Sequence, residues 1–326
     1  MIAPSDPKPR ATLNRREWLA SGGLAVLGSV AMSPAATHAA LATADQPFRF
    51  SLNMGTLRGH ELKLEKEIEV AAQAGYDAIE PWMNRLNRYV QEGGSLKALR
   101  QRLADLNLTV EDAIGFAGWG ADDDAQRAQG LEQAKKDMDQ LAQLGARRMA
   151  APPVGVNQKT EPERLAERYR KLLELGDQMG VVPVLEFWGR HPIIGKLSTA
   201  LAIAAESGHA KACVLADVFH MYRGGSPFEG LRLLGPQALP VLHMNDYPAH
   251  PPVEKLNDSH RVFPGDGVAP LTEILRHIRS SGAAPVLSLE VFNPEYYKRD
   301  ALEVARTGLQ KMKDVLAKAL AFPAIR

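Results

Sequence analysis

Residues 182–220 read VPVLEFWGRHPIIGKLSTALAIAAESGHAKACVLADVFH. An apolar run (182–188) gives way to the amphipathic stretch LSTALAIAAESG (197–208), which ends on glycine, and a second apolar run, ACVLADVFH, follows at 212–220. Such a unit is a strand, a crossover helix and a second strand parallel to the first. The same alternation extends in both directions. Upstream lie the apolar runs FRFSLNM (48–54), DAIEPW (77–82), LTVEDAIGF (108–116) and ARRMAAPP (146–153), and downstream lie LPVLHMND (239–246) and PVLSLEVF (285–292). The helix-period segments after the remaining runs fall at 61–75, 95–107, 124–145, 161–180, 226–235 (SPFEGLRLLG), 269–282 and 300–320, and most end in Gly or Asn, the residues that close helices in left-handed geometry. Eight strand and helix pairs are the number that closes a parallel sheet, so the predicted fold is α/β, a single (β/α)₈ barrel over residues 45–326. An open doubly wound sheet is the alternative, but no glycine-rich phosphate loop follows any strand.

Composition agrees with one large soluble domain: 45% of residues are apolar and 24% charged. The net charge is +1; residues 1–39 hold four bases (Lys8, Arg10, Arg15, Arg16) and two acids (Asp6, Glu17), so the rest of the chain carries 1 − 4 + 2 = −1. That balance offers nothing to a polyanion, and no nucleic-acid partner is expected. Cys213 is the sole cysteine, so no intrachain disulfide can form, and its apolar setting reads as a buried inert thiol.

Residues 12–19, TLNRREWL, precede a charge-free apolar stretch from Ala20 to Met32 and then the small-residue segment SPAATHAAL. This is the layout of a signal peptide, and the paired Arg15 and Arg16 resemble the twin-arginine type. The 13 residues from Ala20 to Met32 are too few for a retained membrane span, which needs ~20. The expectation is a cleavable signal over 1–39, cut after Ala39, with the twin-arginine translocase as partner during export, a periplasmic mature protein and no lasting membrane contact.

In a barrel the chemistry sits where the strands end, so polar residues that terminate apolar runs are informative. Strands five to eight each supply one: Glu186 (VPVLE), Asp217 (VLAD), His243 (PVLH) and Glu290 (VLSLE). Any one alone reads equally well as a structural residue. Three carboxylates and an imidazole together are a ligand set for one hard or borderline divalent cation, Mn²⁺, Mg²⁺, Co²⁺ or Zn²⁺. The order Glu186, then DxxH (Asp217 to His220), HxxD (His243 to Asp246), RVFPGDG (Arg261 to Gly267) and SLEVF around Glu290 resembles the xylose-isomerase-like TIM barrels. That superfamily includes ketose 3-epimerases, inosose isomerases and dehydratases, hydroxypyruvate isomerases and type IV apurinic endonucleases. The resemblance implies that Glu186, Asp217, His243 and Glu290 bind metal and that His220 contacts a substrate oxygen. It further implies that Glu186 and Glu290 are catalytic, moving a proton between adjacent carbons. In the epimerases a basic residue follows the strand-seven histidine closely; here that stretch is DYPAHPP, and Arg261 lies further on.

Trp82, Trp119 and Trp188 follow strands two, three and five, where their faces are expected to pack on a sugar at the mouth, or to cap the core. Glu80 and Arg261 are further substrate-binding candidates, whereas Arg190, His191 and Arg223 read first as solvated loop residues. The expected activity is metal-dependent isomerisation or epimerisation of an unphosphorylated sugar, keto-sugar or polyol. Elimination at the same metal site and carbohydrate binding without catalysis are the alternatives, and oligomerisation is left open. A nuclease would need further ligands on strands three and four, where AIGFAGWG and MAAPPVG supply none.

Overall fold

A computed structural model describes residues 48–321; the signal peptide expected over residues 1–39 lies outside the described residues. Eight parallel strands form one sheet: β1 (Phe50–Asn53), β2 (Ala78–Glu80), β3 (Thr109–Val110), β4 (Arg148–Ala151), β5 (Val182–Glu186), β6 (Val214–Asp217), β7 (Val241–Met244) and β8 (Val286–Leu289). Their order is β3-β2-β1-β8-β7-β6-β5-β4. The seam between β3 and β4 is closed by Ile114, which makes parallel bridges to Trp82 and Ala150, and the Ala150 amide donates to Ala113 O at 2.9 Å. The expected strand 108–116 thus keeps only two ladder residues. It breaks because the Ala113 amide turns to the Asp112 carboxylate at 2.9 Å instead of to a neighbouring strand.

The helices are α1 (Leu64–Ala74), α2 (Met83–Gln91), α3 (Leu96–Asp105), α4 (Asp124–Leu144), α5 (Pro162–Met179), α6 (Leu197–Glu206), α7 (Val218–Gly224), α8 (Leu271–Ser280) and α9 (Ala301–Leu320). Seven match the periodic segments read from the sequence. Six of the residues expected to end helices, Gly75, Asn107, Gly145, Gly180, Gly208 and Gly282, do take positive φ. Two differences matter. The run 212–220 ends as a strand at Asp217, because the Asp217 carboxylate accepts from the His220 amide at 2.7 Å and caps α7 at once. The segment SPFEGLRLLG, short and carrying Gly230, Gly235 and Pro227, forms only a 3₁₀ turn over Phe228–Leu233. No helix among the described residues is long and apolar enough to cross a membrane.

The helices bury one apolar face against the outside of the sheet, with Leu52, Ile79, Leu185 and Leu287 among the residues fully covered. Inside the barrel, Ile114, Ala150, Val184, Cys213, Leu215 and Val241 form a separate apolar plug. Cys213 belongs to it, and burial pushes its thiol up to about 12, as an inert packing residue requires.

One charge in the shell is poorly accommodated. Glu67 of α1 is completely buried, its oxygens accept no hydrogen bond, and its partner Arg85 stands off at 3.4 Å. Burial pushes its carboxyl up to about 7, against the attraction of Arg85. A raised native pKa means the folded protein binds the proton more tightly than the unfolded chain, so stability falls as pH rises from about 4.5 to about 7. Ionisation of Glu67 therefore costs the fold about 3 kcal/mol at pH 8, at 1.36 kcal/mol per unit. Glu67→Gln is expected to raise denaturant-measured stability at pH 8 by 1–3 kcal/mol, on the order of that cost, and to change it little near pH 4.5. A stability difference independent of pH would contradict this.

Candidate metal centre and active-site cleft

Parallel strands deliver all their carboxyl ends to one rim. Glu186 closes β5, Asp217 closes β6, His243 sits one residue from the end of β7, and Glu290 follows β8 directly. All four are buried. Ladder register sets Asp217 beside His243, and donor atoms of Asp217, His243 and Glu290 all lie within 4.8 Å of one another. Glu186 lies outside that three-residue cluster, although it lines the same cleft as Glu290.

His243 is oriented from behind. Its Nε2 lies 2.9 Å from Glu80 Oε1, and in the tautomer with the hydrogen on Nε2 the carboxylate accepts it. Glu80 is held in turn by Asn53 Nδ2 and Ser288 Oγ, both donating to Oε2 at 2.7 Å. Nδ1 then faces Glu290 Oε2 at 3.2 Å and Asp217 Oδ2 at 3.7 Å, buried and without a hydrogen bond. An orphaned imidazole nitrogen between two carboxylates, with its other nitrogen fixed by a third, is the donor arrangement of a divalent cation site. The residues present fit a metal.

Glu80, expected at the substrate, is instead only 1% exposed and committed to His243, Asn53 and Ser288; it does not line the cleft. Trp119 is likewise displaced from the expected mouth. It is buried to 1%, donates Nε1–H to Pro152 O at 2.7 Å and packs on Tyr169, so it is a core residue. Trp82 and Trp188 do line the cleft. Trp82 donates to Asn53 Oδ1 at 2.8 Å and meets Phe116 and Phe292 edge-on.

Arg261 lies deeper than a loop residue should. Its guanidinium is 1% exposed and donates to Asp217 Oδ2 at 2.9 Å, Glu290 Oε2 at 2.5 Å and Asp258 Oδ1 at 2.8 Å, between the rings of Phe219 and Phe292. It also donates to His220 Nε2 at 3.3 Å, which leaves His220 Nδ1 as the protonated nitrogen, buried and unpartnered. The loop that carries Arg261 is shaped by Asp246, whose carboxylate accepts from the amides of Tyr247, Gly265, Gly267 and Ala269. A Cβ at Gly267 would meet Tyr247 O at 2.2 Å, so the second glycine of the PGDG turn is obligatory. The aspartate of HxxD is thus a scaffold residue, and the glycines of RVFPGDG let it hold Arg261 in place.

The cleft encloses about 490 Å³. Burial pushes the Glu186 carboxyl up to about 8; His243 opposes the rise and the carboxylates of Glu290, Asp217 and Glu80 add to it. Burial also works to raise Glu290, but His243 and Arg261 beside it hold its carboxyl well below the usual range. The two glutamates facing the cleft thus sit in different surroundings: Glu290 is paired with Arg261 at 2.5 Å, and Glu186 has no ion-pair partner among the described residues. Burial, with Arg261, lowers the His220 pKa although Asp217 pulls it up, so that ring is neutral. Asn53, which bonds Glu80, Glu290 (3.0 Å) and Trp82, was missed from the sequence, yet it ends an apolar run just as the four ligand candidates do.

Comparison with known proteins places these features in a group. A family model described as a xylose isomerase-like TIM barrel matches residues 68–315. The inosose isomerase of Bacillus licheniformis is 27% identical over 263 residues, 78% of this chain and 93% of its own. The 3-dehydroshikimate dehydratase of Pseudomonas aeruginosa is 26% identical over 253 residues, 76% of this chain and 39% of its own. Among solved structures, the IolI protein with a bound zinc atom superposes with a TM-score of 0.78 at 23% identity, covering 84% of this chain and all of that one.

Proposed function

Because this chain belongs to the xylose isomerase-like TIM barrel family, we propose that it is a divalent-metal-dependent isomerase or epimerase of an unphosphorylated sugar, keto-sugar or polyol. The observation that carries this reading is the placement of two carboxyls, Glu186 and Glu290, on one cleft beside the Asp217–His243–Glu290 cluster, whose donor atoms lie within 4.8 Å of one another. Asp217, His243 and Glu290 hold the cation, with Glu186 next to them; Mn²⁺, Mg²⁺, Co²⁺ and Zn²⁺ all suit the donors. When bound, it supplies Lewis-acid polarisation of neighbouring hydroxyl and carbonyl oxygens.

The rest is done by the protein's own groups. Glu186 and Glu290, facing the same cleft, are placed to take a proton from a substrate carbon and to return one. Return to the opposite face inverts the carbon; return to its neighbour isomerises the sugar. His220 offers its free Nδ1–H to a substrate oxygen, and Trp82 and Trp188 cover the C–H faces of the ring. If a leaving group sits β to the deprotonated carbon, the same residues eliminate it, and the similarity to a dehydratase supports that second reading. Incubation of the Mn²⁺-loaded protein with a panel of hexoses, ketoses and inososes in D₂O is expected to place deuterium on the inverted carbon or its neighbour. Turnover with no solvent deuterium in any product would overturn proton transfer.

The export reading is also a proposal, supported by Arg15, Arg16 and the apolar stretch behind them. Arg15→Lys with Arg16→Lys is expected to leave full-length precursor in the cytoplasm, read by fractionation and mass of the N-terminus. Trimmed double variant in the periplasm would rule out the twin-arginine route.

A further inference from the structure

Arginines project into this cleft from several strand ends, and their partners differ. Arg261 is answered by three carboxylates, and Arg190 is committed to the backbone carbonyls of Val253 (3.0 Å) and Glu254 (2.6 Å). Arg58 and Arg223 are not answered by any acid: neither has a carboxylate within ion-pair distance among the described residues. Arg58, in the turn after β1, donates Nε–H to the Tyr297 hydroxyl at 3.1 Å and lies over the Phe292 ring at 4.2 Å, which leaves its terminal nitrogens open to the cleft. Arg223, at the end of α7, makes no side-chain hydrogen bond; its Nε is buried without a partner and its guanidinium lies over Phe219 at 5.5 Å.

The half-buried Arg223 guanidinium, with its Nε unmet, forfeits hydration and recovers nothing unless an acceptor arrives, whereas Arg58 is exposed at the rim. The surroundings make that worse for Arg223. Burial works against its charge, and Arg190 and Arg261 repel it while Asp258 alone attracts. Asp258, however, already accepts from Arg261 at 2.8 Å. Two planar guanidiniums without an acid partner among the described residues, lining a cleft whose aromatic walls suit a ring, are the complement of a planar anion.

We propose that Arg58 and Arg223 form an anion subsite at the mouth of the cleft and that the substrate carries a carboxylate, as a sugar acid or polyhydroxy keto acid. The isomerase reading supplies the position of the reacting carbon, between Glu186 and Glu290; the carboxylate lies at the rim. The subsite sets specificity and leaves the proton transfer to the two glutamates.

Calorimetric titration of the Mn²⁺-loaded full protein with D-glucuronate, D-glucose and D-glucose 6-phosphate tests it. Glucuronate is expected to bind at least about tenfold tighter than glucose, and Arg58→Gln and Arg223→Gln each to cut that ratio about tenfold, the worth of one charged hydrogen-bonded contact. A preference for glucuronate that both variants retain would assign it to direct metal chelation and overturn the subsite. Tighter binding of the phosphate ester, abolished by the same variants, would overturn the carboxylate assignment, and equal or absent binding of glucuronate and glucose would overturn the anion subsite altogether. Deuterium incorporation reads the other reading separately. Arginine-dependent binding without deuterium in any product would sink the isomerase and keep the subsite, while deuterium incorporation into a neutral sugar with no acid preference would do the reverse.

Discussion

Glu186→Gln is expected to keep the metal and lose turnover by about 10²- to 10⁴-fold, the usual contribution of a positioned general acid or base. The separation of the two effects follows from geometry: Asp217, His243 and Glu290 cluster without Glu186, whereas Glu186 faces the cleft and substrate. Glutamine matches glutamate in size and retains a carbonyl oxygen, but it neither delivers nor accepts a proton. Glu290→Gln is expected to be equally slow and, in addition, to bind metal less tightly, because that carboxylate belongs to the cluster and balances Arg261. Steady-state kinetics and metal content measured on the same preparations distinguish the two. A Glu186→Gln variant that turns over at the parent rate with metal bound would show that this glutamate moves no proton.

The second large effect is expected at His243→Ala, with divalent-cation affinity falling by well over about 10²-fold, since even loss of a residue behind a ligand costs 10- to 100-fold. His243 contributes the one nitrogen of the cluster, and that nitrogen is already oriented by Glu80, Asn53 and Ser288. Without the ring, Asp217 and Glu290 keep Arg261 beside them, and the guanidinium already donates to both. The site then closes on its own ion pairs. Equilibrium dialysis against Mn²⁺ reads the loss, and an affinity equal to the parent's would place the metal elsewhere.

The four strand-end residues were legible because two periodicities agree in this chain: apolar runs mark the strands, and the rim of a parallel barrel collects whatever polar residue ends each run. Asn53 was open to the same reasoning, since it ends FSLN, but a neutral amide lacks the charge that marks a carboxylate as a cation ligand. What the sequence leaves undetermined is direction. Glu80 and Glu186 both end strands, yet Glu80 turns beneath His243 while Glu186 faces the cleft, a difference fixed by Asn53 on β1 and Ser288 on β8. Trp119 follows β3 much as Trp82 follows β2, but the strand breaks at Asp112 and Ala113 and the indole turns inward to Pro152 O. Arg223 reads as a solvated loop position because no spacing rule records that Asp258, the acid near it, is already taken by Arg261. The segment 226–235 carried a helix pattern that its Pro and Gly content could not sustain, and the helix formed earlier, at the cap that Asp217 provides.

The metal centre is the claim on which the proposed chemistry depends, and a crystal of the Mn²⁺-loaded protein, measured at the manganese absorption edge, tests it most directly. One anomalous peak is expected within bonding distance of Asp217, His243 Nδ1 and Glu290, and the same map will show whether Glu186 completes the shell. A peak anywhere else in the barrel, or none at full Mn²⁺ loading, would contradict the assignment.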